Sequence, residues 1–134
     1  MARSARTKPA TVLLVENEAV VRLELAASLT DGDFVVLEAD NAEDAIVLLE
    51  TCSEIAILVT DIMMPGPMDG VRLAHHVRSH WPQIKIVVVS GLTNTHISAL
   101  PEGSVFIPKP YDARELRPAL AQMADKTRSR ALSR

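Results

Sequence analysis

The chain has 134 residues, 48% of them hydrophobic and 23% charged, with a formal net charge of −3 and only 3% aromatics. This describes one soluble domain with an aliphatic core, and the charge excludes a general drive toward nucleic acid or an anionic membrane. The single cysteine, Cys52, excludes an internal disulfide and fits a reducing cytoplasm, and no apolar run approaches the roughly 18 residues of a membrane span.

Residues 1–10 are polar and basic and are expected to be flexible, with no apolar signal-peptide core behind them. Thr11 to Val15 is too short for a helix and predicts a buried strand that ends on Glu16, Asn17 and Glu18. Ala19 to Thr30 carries Val21, Leu25 and Leu29 on one stripe and predicts a helix. Asp31-Gly32-Asp33 ends it, with Gly32 expected to supply the left-handed residue. Phe34 to Ala39 predicts a short strand. Asn41 is a candidate N-cap for a helix whose inward stripe is Ala42, Ala45, Ile46 and Leu49.

Ile55 to Asp61 predicts a third buried strand, ending on a lone carboxylate and followed by a Met-Met-Pro-Gly-Pro turn. Asp69 can cap a helix from Gly70 to His80, with Leu73, Ala74 and Val77 inward and Trp81-Pro82 as the stop. Ile84 to Val89 predicts a fourth strand, closed by Ser90-Gly91. Leu92 to Gly103 is polar, so any helix there is expected to be short or irregular. Val105 to Ile107 predicts a fifth strand before Pro108-Lys109-Pro110. Asp112 can cap a last helix with Leu116, Ala119, Leu120 and Met123 inward and a kink at Pro118. Lys126 to Arg134 is basic and expected to fray.

Five β/α alternations predict an α/β domain over residues 11–125, a doubly wound parallel sheet with helices on both faces. Parallel strands put their carboxyl ends on one edge, where such sheets bind ligands. That edge collects Glu16, Asn17, Asp61, Ser90 and Lys109. Two carboxylates and an amide oxygen suit a hard cation such as Mg²⁺. A lysine and a serine hydroxyl suit the oxygens of an anion. Together they describe a phosphoryl group held between a metal and a lysine. Phosphoryl transfer relies on positioning and charge neutralisation, and a carboxylate can act as its nucleophile. Asp61 is the candidate nucleophile. Glu16, Asn17, Asp61 and the Met63 backbone carbonyl are the candidate metal ligands. Lys109 would pair with Asp61 and then with the phosphoryl oxygens, and Ser90 would donate to them.

Four segments in order, VLLVENE, LVTDIMMPGPMDG, VVVSG and FIPKPY, resemble the receiver domain of bacterial response regulators in two-component signalling. The resemblance covers about residues 10 to 125. It implies the flavodoxin-like strand order 2-1-3-4-5. It implies a phosphoaspartate at Asp61, formed with Mg²⁺ from a histidine kinase or a histidine phosphotransfer protein. It also implies a switch in which Ser90 and Phe106 reposition, and output by protein contact as a monomer or weak dimer in the cytoplasm. No output domain is expected after residue 125, and no stand-alone enzyme activity.

The chain departs from the family pattern in four places. Asn17 stands where a second carboxylate is usual, which removes one charge from the metal site. Ser90 replaces the usual threonine. The loop from Met64 to Gly70 carries an extra residue, and the stretch from Ser90 to Lys109 is short. Met63 and Leu92 flank the pocket as apolar residues that cannot orient a hydrolytic water, which predicts slow phosphate loss.

Three other readings compete. A metal-dependent phosphohydrolase with an aspartyl nucleophile typically has a second Asp two residues on, where this chain has Met63. A flavodoxin-like nucleotide binder needs a Gly/Ser/Thr-rich anion loop where this chain has Glu16-Asn17-Glu18. A pseudo-receiver that signals without phosphate is compatible with Asn17. His76 and His80 have a spacing that can bind metal, but with no third ligand they read as a solvated helix face.

Overall fold

The structure, a computed structural model, describes residues 9–91, 99–109 and 113–132. Its strands are β1 (Thr11–Val15), β2 (Val35–Ala39), β3 (Ile55–Asp61), β4 (Lys85–Ser90) and β5 (Val105–Pro108). Among the described residues its helices are α1 (Ala19–Asp31), α2 (Ala42–Thr51), α3 (Gly70–His80) and α4 (Ala113–Leu132). The strands form one parallel sheet in the order β2-β1-β3-β4-β5.

Side-chain alternation along the central strands divides the core in two. Leu13, Val15, Leu58, Ile86 and Val88 face α2 and α3, where Ala45, Leu49, Leu73 and Val77 pack on them. Val12, Leu14, Ile57, Val59, Val87 and Val89 face α1 and α4, where Leu25, Leu29, Leu116 and Leu120 pack on them. Burial on both faces is why these strands read as continuous apolar runs. Val21, Ile46 and Met123 lie at the margins of the two cores, partly buried.

Local chemistry starts two helices as expected. Asn41 Oδ1 accepts the Asp44 N–H at 2.8 Å, and Asp69 Oδ1 accepts the Arg72 N–H at 3.0 Å. The end of α1 corrects the sequence expectation. Gly32 has φ −87, and the left-handed residue is Asp33, at φ 72. Asp is among the few non-glycine residues that tolerate this region. Gly32 answers a demand for space instead, since a Cβ there would come within 2.7 Å of Arg117 Cδ.

Helix α4 continues through Leu132, into the 126–134 stretch expected to fray. That stretch contains no glycine or proline to stop it. Helical backbone also continues on both sides of Pro118, whose position is exposed. The expected cap at Asp112, residue Leu92 and the weak helical pattern from Thr95 lie wholly or mostly outside the described residues, as does nearly all of the basic stretch 1–10. Ala10 is described, and its carbonyl accepts the Val35 N–H at 2.9 Å. Among the described residues no helix is long and apolar enough to cross a membrane.

Candidate functional site

Strand register brings the polar corners together. Val15 pairs with Ala39 and Thr60, Asp61 with Val89, and Ser90 with Pro108. Glu16, Asp61, Ser90 and Lys109 therefore emerge side by side at the carboxyl edge of the sheet. The Lys109 N–H donates to the Ser90 carbonyl at 2.9 Å, which extends the β4–β5 pairing by one residue and fixes where the lysine leaves the sheet.

The ammonium of Lys109 bridges two buried carboxylates. Its Nζ is 2.7 Å from Asp61 Oδ2 and 3.5 Å from Glu16 Oε1. Glu16 is 4% exposed and Asp61 8%. Two partly desolvated anions at this range need a cation, and Lys109 supplies it. Burial alone lowers the Lys109 pKa. The hydrogen bond and charge of Asp61, with those of Glu16 behind them, outweigh burial and hold it above the ordinary value of 10.5.

The remaining carboxylate oxygens are oriented by main chain. Glu16 Oε2 accepts the Glu18 N–H at 3.0 Å, and Asp61 Oδ1 accepts the Met63 N–H at 3.3 Å. Glu18 itself is exposed at the start of α1. Asn17 is exposed, and Met63 is 65% exposed beside the Asp61 carboxylate. Ser90 is buried, at 1%. By strand alternation Ser90 lies on the same sheet face as Val88, and Phe106 pairs with Val88 and packs on the α2–α3 side of the core. The switch candidates thus share one face.

The donor set fits Mg²⁺ in kind. It is all oxygen, with two buried carboxylates that share the Lys109 ammonium, and Mg²⁺ keeps several waters when protein ligands are few. Among the described residues no group of three or more His, Cys, Asp or Glu side chains surrounds any point. His76 and His80 do not add a second metal centre. Their rings stack at 4.1 Å, and His80 Nδ1 lies 2.9 Å from the His76 carbonyl oxygen.

Two residues that shape this pocket are not prominent in the sequence. Gly70, the first residue of α3, donates its N–H to the Ile62 carbonyl at 2.9 Å. A Cβ there would collide with the Asp61 carbonyl and come within 2.7 Å of Ile62 Cα. Only glycine lets α3 start this close to β3. A glycine directly after an N-cap aspartate is the visible trace of that contact. Arg22 on α1 donates from Nη1 to the Glu16 carbonyl at 2.8 Å and from Nε to Glu38 Oε1 at 3.2 Å. A lone arginine among the aliphatic residues of α1 was its only mark.

The family model described as "Response regulator receiver domain" matches residues 12–121. The chain belongs to the response regulator receiver family. It is a receiver domain of the two-component, phosphorelay signalling class. It is 35% identical over 121 residues to the sensor kinase CckA of Brucella abortus (strain 2308), covering 87% of this chain and 13% of that one. It is 30% identical over 108 residues to the response regulator receiver protein CpdR of the same organism, covering 78% of this chain and 88% of that one. A crystal structure of a response regulator receiver protein from Sinorhizobium medicae WSM419 superposes with a TM-score of 0.82 at 30% identity, covering 90% of this receiver domain and 98% of that chain. The receiver domain spans between 13% and 29% of the length of four other curated relatives, CckA among them.

Proposed function

We propose that this receiver domain takes a phosphoryl group on Asp61 from the phosphohistidine of a histidine kinase or a histidine phosphotransfer protein. The observation that carries the reading is the Lys109 ammonium held between Asp61 and Glu16. It places a fixed cation where the three phosphoryl oxygens would gather charge. An Asp61 carboxylate oxygen forms the O–P bond as the N–P bond to the donor imidazole breaks. The imidazole nitrogen keeps that electron pair and takes a proton from solvent. Lys109 then moves its contact from Asp61 to the phosphoryl oxygens, and the Ser90 hydroxyl donates to one of them.

Glu16 and Asp61 would hold Mg²⁺, with the Asn17 amide oxygen and the Met63 carbonyl as further ligands. Bound there, Mg²⁺ supplies neutralisation of the incoming phosphoryl charge. The site consumes a phosphoryl group once per activation, so the protein acts as a signalling acceptor and not as a stand-alone enzyme. Inward movement of Ser90 and Phe106, which share a sheet face, is the proposed link from the phosphoaspartate to a binding surface. Output is by contact with a downstream protein. The match to CpdR, a response regulator receiver protein, over 88% of its length supports the receiver reading.

A second reading has one observation in its favour. With Asn17 neutral, the metal site has one acid fewer than the family pattern, as expected of a receiver that signals without phosphate. Labelling with a radioactive phosphoryl donor kinase separates the two readings. Label on the wild type that disappears in Asp61→Asn supports acceptance at Asp61. A wild type that takes no label from acetyl phosphate or from any histidine kinase of its source organism overturns it.

A further inference from the structure

Glu16 is held by its main chain on both sides. Its N–H donates to the Ala39 carbonyl at 3.0 Å, which ties it to the end of β2. Its carbonyl accepts Nη1 of Arg22 at 2.8 Å. Arg22 is itself anchored on α1, where its N–H donates to the Glu18 carbonyl at 2.9 Å, and on β2, through Nε to Glu38 Oε1 at 3.2 Å. Arg22 therefore joins the first turn of α1 through its main chain, and the β1–α1 turn and the edge strand through its guanidinium. With the main chain so fixed, the Glu16 side chain has few places to go. It lies with Oε2 on the Glu18 N–H and Oε1 on Lys109.

We propose that Arg22 is a positioning residue for the Glu16 carboxylate, the acidic metal ligand to which Asn17 adds no charge. The inference rests on the reading that this pocket takes Mg²⁺. The Arg22–Glu38 pair is partly exposed, and such pairs contribute little to stability. The hydrogen bond to the Glu16 carbonyl is the contact that bears on the site. Two acceptors at different angles need a planar fork of donors, which arginine has and lysine lacks. In a site with an acid at position 17, a displaced Glu16 could be covered by its neighbour. Here it cannot, so metal affinity depends on the hold that Arg22 keeps.

The test measures Mg²⁺ affinity of the unphosphorylated protein by calorimetry, alongside metal-free crystal structures. The variants are Arg22→Met, Arg22→Lys and Glu38→Gln. Arg22→Met is expected to weaken Mg²⁺ binding about tenfold, the low end for outer partners of metal ligands. Its crystal structure should show Glu16 Oε1 withdrawn from Lys109 Nζ. Arg22→Lys should lose affinity in the same direction. Glu38→Gln keeps the guanidinium on the Glu16 carbonyl and should stay within about threefold of wild type, well short of the loss expected of an outer metal partner. Wild-type affinity in Arg22→Met overturns the proposal. If Arg22→Met does not fold, Arg22→Lys decides: unchanged affinity together with an unchanged Glu16–Lys109 contact overturns it. A wild type that binds no Mg²⁺ defeats the metal reading alone. In that case the Glu16–Lys109 contact in the variant structures decides whether Arg22 positions the carboxylate.

Discussion

The ammonium of Lys109 lies 2.7 Å from Asp61 Oδ2, although 48 positions separate the two residues in the chain. The same ammonium reaches Glu16, so one cation is shared by the two buried acids of the pocket. A phosphoryl group arriving at Asp61 would draw on a charge already in place, with little reorganisation.

That relationship has a pH signature. The folded-state pKa of Lys109 lies above its ordinary value of 10.5, so the protonated lysine favours the fold. This contribution is fully present below about pH 10.5 and is lost as pH rises through the higher folded-state value. Urea unfolding of the wild type and Lys109→Met, followed from neutral pH upward, should show a stability difference that is level at first and narrows above that point. A difference that stays level throughout the alkaline range removes the link.

Restoring the missing acid should strengthen the metal site. Asn17→Asp is expected to raise Mg²⁺ affinity about tenfold, because ligand charge tunes divalent-cation binding. Titration calorimetry of both proteins checks this, and equal affinities would show that position 17 does not contribute to the site.

Gly70→Ala should damage the fold at the end of β3. The added methyl would meet the main chain of Asp61 and Ile62, and backbone cannot yield as a flexible side chain can. A loss of about 3 kcal/mol is expected, at the upper end for overpacking. A urea midpoint equal to wild type would contradict the close approach.

At the end of α1 the two neighbouring positions should respond differently. Asp33→Val forces a β-branched residue into φ 72 and is expected to cost about 2 kcal/mol. Gly32→Ala brings its methyl within 2.7 Å of Arg117 Cδ on a flexible side chain and only to 3.4 Å of the Leu29 carbonyl oxygen, and should cost less than about 1 kcal/mol. Thermal unfolding of the two variants reads the difference, and the reverse ranking would return the left-handed role to Gly32.

Phosphate on Asp61 should be lost slowly. Met63 is exposed beside the carboxylate and has no group to orient a water for attack. Met63→Gln is expected to shorten the lifetime, followed by loss of label after the donor is removed. A wild-type phosphoprotein that decays within seconds would sink this expectation.

Much of this protein was legible in the residue order. Strand runs buried on both faces, helical stripes and the caps at Asn41 and Asp69 all depend on neighbours a few positions away, and their spacing alone identifies them. The set Glu16, Asp61, Ser90 and Lys109 was legible as a group because parallel strands must end on one edge. Tertiary structure decided what no local pattern carries. It put Lys109 on both acids, closed α3 onto β3 at Gly70, and set Arg22 across the Glu16 carbonyl and Glu38. It also placed the left-handed residue at Asp33 and packed Arg117 from α4 against Gly32. These contacts join elements far apart in the chain, and their partners are chosen by packing and register rather than by propensity.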